Sequence, residues 1–593
     1  MKHTHFALIA FFLFTLPQTI LPSTPSKQDI KLIARADKRI KELNKVTQPT
    51  KHVIKVVYFH ASDQAPLKGW QERLPRTLAD VSNYYKEAFN RFGLKSNGLP
   101  FEEVKGVISI LSIQGDSVSK QYTIQSGNRI IQEIERKANG MIHFATDHVL
   151  VINGLCEKQE DSIYYFHSPY GGFGGTTSGV CMVADCELLD TRLLKNTVQK
   201  MTFTEMAVKD KTCSVAEFNS WYIGGIAHEM GHIFGLPHDF GGPKEFDKQH
   251  LSMMGEYGSR HFRDYLWKGE KSASFSTASM LQLMSHPLFT RKTMNYKQNL
   301  TYTFKFIDAD AKDNNLSIRC IYEASETPYG AVALFRPLIQ SEYLNQSFSV
   351  IPDESGTTTF NLMKQYPGQY VLRILFLFPN SLTREVNRVV KIDQAGSVEF
   401  FEPRIRMFQA SFQKMDEKLR TQVKTPDIEA KLEILKGLLN PPTPIDPKTF
   451  AEKQLYLSDA KWETAKVGYE QTARNYFTLE SEINFFLQLD GKLYSKGLFA
   501  HSPSSYVFNL DSQWKSFSAT VGLRDNAHIQ GSARFTVVGD GQVLYQSAAL
   551  RVNQKENFRV DLTGIKMLEL KTDGTEGHTF NSWAIWVDPL LEK

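Results

Sequence analysis

The sequence predicts a multidomain chain: an α/β domain, then a β-sandwich, a short helical linker and a second β-sandwich. Three observations carry that reading. Strand-like and helix-like segments alternate between residues 51 and 152, the pattern of a largely parallel sheet covered by helices. Residues 298–398, and again those beyond 448, alternate polar and apolar positions between turn signals such as Asp353-Glu354-Ser355-Gly356 and Tyr366-Pro367-Gly368. A stiff break, Asn440-Pro441-Pro442-Thr443-Pro444, precedes the last of these regions. The length of 593 residues fits roughly three to five domains. A net charge of +5, from 69 basic and 64 acidic side chains with no long Lys/Arg block, gives nucleic-acid binding no support.

In chain order, residues 1–26 read as an export signal. Lys2 is followed by the apolar run Phe6 to Leu16, which is too short to span a bilayer, and then by Pro17, Pro22 and Pro25. No later segment is apolar enough for a stable membrane span, so the chain is expected outside the cell, secreted, periplasmic or at its surface. Residues 27–49 form a charged helical spacer or pro-segment. In the domain at 50–294, His52 to Phe59, Val107 to Ile113 and Val149 to Ile152 read as strands. Leu78 to Phe92 and Asn128 to Lys137 carry helical spacing. Tyr170 to Gly175 is glycine-rich but lacks the strand-before, helix-after setting of a phosphate loop, so it reads as a flexible connector. Gly179 to Ala184 reads as an edge strand. Residues 295–402 suggest an immunoglobulin-like sandwich, 403–447 a helical and Pro-rich linker, and 448–593 the second sandwich. Cys156, Cys181, Cys186 and Cys213 allow two disulfides in three pairings, with Cys320 left over; reduced, buried thiols are the alternative.

The chemistry concentrates in His228-Glu229-Met230-Gly231-His232-Ile233-Phe234-Gly235-Leu236-Pro237-His238-Asp239. On a helix, His228 and His232 point from one face to one metal ion, and Glu229 is placed to reach a water on it. Gly235 can turn the chain sharply, which returns His238 as a third ligand. Three neutral nitrogens leave a coordination position open, the arrangement of a catalytic rather than a structural Zn2+. Asp239 is read as supporting the site by packing.

At these residues the chain resembles the metzincin clan of zinc peptidases over roughly residues 50–290. That resemblance implies a methionine turn beneath the metal, filled here by Met254 of Leu251-Ser252-Met253-Met254-Gly255-Glu256-Tyr257. The clan's tyrosine two residues after the turn methionine is here Glu256, with Tyr257 one later. The resemblance also implies main-chain pairing of an extended peptide to the edge strand, and Glu229 as the base that moves the water's proton.

Residues 450–593 resemble the NPCBM family of carbohydrate-binding modules. The matching stretches include Tyr456-Leu457-Ser458-Asp459, Tyr494 to Pro503, Phe517 to Gly522, Phe535-Thr536-Val537 and Trp583 to Leu590. The family implies a jelly-roll, galactose-binding-like sandwich that binds sugars. Trp462, Tyr469, Tyr494, Trp583 and Trp586 are candidate stacking faces, although each taken singly is more often a core residue than a sugar platform; His501 and His528 lack metal spacing. Together these features suggest a secreted zinc endopeptidase acting on glycoproteins or glycan-rich matrix and targeted by its sugar module. An adhesive protein with a silent zinc domain, or a zinc hydrolase of a non-peptide amide, are the alternatives, and the intact Glu229 favours an enzyme.

Overall fold

Apolar strands long enough to be buried on both faces build the centre of the N-terminal unit. In the Ile54–His60 strand, Ile54, Val56 and Tyr58 share a core with Leu74, Leu78 and Val81 of the Trp70–Arg91 helix. Val57 and Phe59 face the other way, against Ile130 and Ile134 of the Gly127–Lys137 helix. This period of two, apolar on both sides, is what a parallel sheet between helices requires. The sheet order is Ile110–Gln114, Ile54–His60, His148–Asn153, Gly179–Ala184 and Gly171–Gly174. The first four strands are parallel and the fifth is antiparallel. The structure, a computed structural model, describes residues 24–593 except 44–46, 160–161, 206–207, 248, 295–299, 313–314, 363–365, 402, 470, 478–484, 528–530 and 576–580. The export signal expected over 1–26 therefore falls almost wholly outside the described residues.

Several expectations need correction. Gly179–Ala184 is not the edge strand, because the glycine-rich segment, read as a flexible connector, pairs outside it as Gly171–Gly174. Its glycines are demanded by proximity to a helix. A Cβ on Gly172 would stand 2.3 Å from the Glu229 carbonyl oxygen, and one on Gly174 2.2 Å from that of Ile233. The five cysteines are all free and buried, so the expected disulfides are absent. The Lys27–Leu43 segment is helical as read, and it is packed: Ile33, Ala36 and Ile40 lie in the main core, and Arg39 donates to the Pro352 carbonyl at 2.7 Å.

Residues 302–401 form a β-sandwich of a three-stranded and a five-stranded sheet. Besides its own core, its five-stranded sheet contributes to the core of the parallel-sheet domain. In Gly330–Pro337, Ala331, Ala333 and Phe335 fill the sandwich, while Val332 and Leu334 enter the core beneath the parallel sheet. Gly368–Phe378 repeats this, with Leu372, Ile374 and Phe376 inside the sandwich and Leu375 and Leu377 outside it. These two strands lack the polar alternation expected of the region because both faces are covered. Thr47–Pro49 also pairs with Lys292–Met294 across the expected boundary. The described residues up to 401 accordingly belong to one compact unit.

The second unit is residues 403–593. The segment expected as a linker supplies two helices, Pro403–Arg420 and Pro426–Leu439, whose Phe412, Leu419, Leu435 and Leu438 pack on Phe485 and Phe486. A two-sheet β-sandwich follows, its core filled by Trp514, Phe517, Phe535, Leu570 and Trp586. The chain is thus a mostly β, multidomain protein with a C-terminal β-sandwich. No helix among the described residues is long and apolar enough to cross a membrane.

Candidate metal centre

The Val215–Ile233 helix begins at Ser214, whose hydroxyl accepts the Glu217 N–H at 3.1 Å, and is buried along most of its length. It ends where Gly235 takes φ of +83°, a left-handed conformation open to glycine, and Leu236 N–H closes onto the Gly231 carbonyl at 3.1 Å. The turn returns His238 towards the helix. The Nε2 of His232 lies 3.2 Å from that of His228 and 3.1 Å from that of His238.

Each ring's other nitrogen has an acceptor. Nδ1 of His228 faces the Met253 carbonyl at 2.7 Å, and that of His232 faces the Leu236 carbonyl at 2.7 Å. Nδ1 of His238 faces Glu342 Oε1 at 2.8 Å. With the proton on Nδ1 in all three, three unprotonated nitrogens converge. Burial, reinforced by the neighbouring rings, lowers His228 to about 3 and His232 to about 4, so both are neutral at physiological pH. Converging lone pairs on neutral rings repel one another unless a cation lies between them, and this donor set suits zinc. His228, His232 and His238 form a group able to hold a metal ion.

Glu229 stands beside them, half-buried, with its carboxylate accepting the Gly172 N–H; burial pushes it up to about 8 against that bond. Met254 is fully buried under the helix, and a Cβ on Gly231 would meet its Sδ at 2.6 Å. Asp239 is also fully buried. It accepts from Ser276 Oγ and, at 2.8 Å, from Gly241 N–H, and so ties the loop rather than facing the histidines.

Sequence reasoning missed Glu342 and Tyr343, which come from the sandwich. Tyr343 stacks on His238 with ring centroids 3.6 Å apart and lines the cleft with His228 and Glu229. The segment is strapped on by main-chain bonds, Phe240 N–H to the Asn345 carbonyl at 2.7 Å and Ser347 N–H to the Gly241 carbonyl at 3.1 Å. No local pattern marks a Glu-Tyr pair in a turn over a hundred residues from its partner. Tyr257, by contrast, is exposed at the cleft wall.

In the C-terminal sandwich, Trp586 and Tyr494 are core residues, Trp462 and Trp583 are half-buried, and Tyr469 is exposed. The Arg474 guanidinium lies 3.4 Å from the Trp462 ring centre, which occupies one face of that indole. His501 is buried against Trp583, and His528 lies outside the described residues.

Residues 453–592 match the NPCBM/NEW2 domain family, so the second unit carries an NPCBM/NEW2 domain. Over 103 residues the chain is 35% identical to a protein of Renibacterium salmoninarum whose name assigns it, provisionally, as an endo-alpha-N-acetylgalactosaminidase. The match takes in 17% of this chain and 7% of that protein's length. Among solved structures, wild-type OgpA of Akkermansia muciniphila is similar over 60% of this chain and 97% of its own, at 18% identity and a TM-score of 0.48. The inactive form of the same protein, solved with an O-glycopeptide, gives 17% and 0.48. CBM51 from Clostridium perfringens GH95, solved with methyl-galactose, is similar over 23% of this chain and 99% of its own, at 22% identity and a TM-score of 0.22.

Proposed function

We propose that the chain is a zinc-dependent endopeptidase of glycoproteins, with a metzincin-like catalytic domain and a C-terminal module that holds carbohydrate. The observation that carries this reading is the convergence of three Nε2 atoms beside the half-buried Glu229, at the wall of a cleft of about 640 Å³. Met254 beneath the helix and the antiparallel strand at the sheet edge agree with it. His228, His232 and His238 would hold the ion, which when bound would supply a Lewis acid for the carbonyl oxygen and acidify water. Glu229 takes the proton of the attacking water on its carboxylate and delivers it to the leaving amine. Glu229 would stay ionised beside a bound cation, which offsets the rise that desolvation causes. Tyr343, which lines the same cleft as Glu229, offers a hydroxyl donor to the carbonyl oxygen. The NPCBM/NEW2 domain supports carbohydrate as the second partner and glycoproteins as the substrate class.

The test uses a panel of glycoproteins with wild type, wild type plus chelator, and Glu229→Gln. Hydrolysis should stop with chelator and fall at least about 100-fold in the variant, while zinc content and melting temperature stay at wild-type values. Zinc-independent cleavage, or a fully active variant, would refute the reading.

A further inference from the structure

The cleft that holds His228 and Glu229 also holds Arg260, a cation without an ion-pair partner among the described residues. Arg260 is half-buried, and among the described residues its guanidinium makes no ion pair and donates no hydrogen bond. It is held instead by aromatic faces, 4.3 Å from the Trp221 ring centre and 5.4 Å from that of Tyr257. Tyr257 has φ of +63°, a left-handed conformation that is costly for a bulky residue. That turn is fixed by the Arg260 N–H to the Tyr257 carbonyl at 3.1 Å. Strain accepted to set an aromatic under a guanidinium suits a site that must present that guanidinium.

Two cavities meet at this residue. The larger, of about 640 Å³, also contains His228 and Glu229, and the smaller, of about 170 Å³, lies behind it; Trp221, Tyr257 and Arg260 line both. The remaining charges of the smaller cavity are mostly matched. Lys211 pairs with Glu217 at 2.8 Å, His261 with Asp264 at 2.6 Å, and Lys268 with Glu270 at 3.4 Å. Arg260 is its surplus charge. The larger cavity is also lined by Glu256, which forms no ion pair with Arg260, and by Glu229, which belongs to the chemistry. A planar fork stacked on indole and phenol, with its N–H edge free, is pre-organised for a bidentate carboxylate.

We propose that Arg260 reads a carboxylate carried on the substrate beside the scissile bond, either an acidic side chain of the peptide or an acidic sugar attached to it. This rests on the reading of the cleft as the substrate site. The test uses the full-length, zinc-loaded Glu229→Gln protein and fluorescence anisotropy with two matched ligand pairs. One pair is a peptide with Glu or Gln at the variable position. The other is a glycopeptide whose sugar carries a carboxylate or its amide.

In at least one pair the carboxylate should bind about 10- to 100-fold more tightly. Adding Arg260→Gln should bring that ratio to near unity, and Arg260→Lys should retain part of it. The pair that shows the preference identifies its source. Equal binding in both pairs, a preference for a peptide with Lys at that position, or a preference that survives Arg260→Gln would overturn the proposal. The wild-type ratio should also shrink as salt is raised, a readout independent of any variant's folding. Chelator-sensitive hydrolysis of the neutral peptide by wild type reports separately on the proposed activity.

Discussion

Glu342 offers a sharp probe of how the two halves of the N-terminal unit combine. The rings of His228 and His232 are oriented by main-chain carbonyls, which no side-chain substitution removes. His238 is oriented by a carboxylate from the sandwich. Removing such an outer partner typically costs 10- to 100-fold in metal affinity, or about 1.4–2.7 kcal/mol. The Glu342 side chain is 62% exposed, so solvent screens part of its charge and the lower end of that range is expected. Glu342→Gln retains an acceptor oxygen and should weaken zinc binding less than Glu342→Ala. The strap itself should stay in place, because its main-chain bonds do not involve the carboxylate. Competition for zinc against a fluorescent chelator, with circular dichroism on the same samples, measures both quantities. Wild-type zinc affinity in folded Glu342→Ala would refute the argument, and so would loss of fold in step with loss of zinc.

Two further outcomes follow from burial. Burial, with Asp239 nearby, raises Glu245 from 4.5 to about 7, so the folded state binds its proton more tightly than the unfolded state does. That contribution to stability is fully present below pH 4.5 and is lost as pH rises through about 7. It amounts to at most ~3 kcal/mol at 1.36 kcal/mol per pH unit. Relative to wild type, metal-free Glu245→Gln should gain stability across this window in paired denaturant titrations; a constant offset would contradict it. Residues 403–593, helices included, should fold alone and bind a glycan on an array. A fragment starting at 448 exposes Phe485 and Phe486 and should be less stable by several kcal/mol, since each large buried side chain contributes about 1.5–3.

The features legible in the sequence are those that local geometry decides. A spacing of four from His228 to His232 puts both on one helical face, and a glycine after the helix permits the left-handed turn that brings back His238. The strands at 54–60 and 148–153, buried on both sides, and the NPCBM stretches were legible for the same reason: short-range pattern reflects burial. Tertiary structure alone decided which strand lies at the sheet edge, since a Gly-rich segment carries no β signal until a helix backbone lies 2–3 Å from where its side chains would be. It also decided that the sandwich shares a core with the parallel sheet, because a strand covered on both faces looks the same in sequence whichever partners cover it. Glu342, Tyr343 and Arg260 acquire their roles only through contacts with distant residues. A single glutamate, tyrosine or arginine on a turn has no spacing to betray it, and only the packing of the chain sets it against His238 or Trp221.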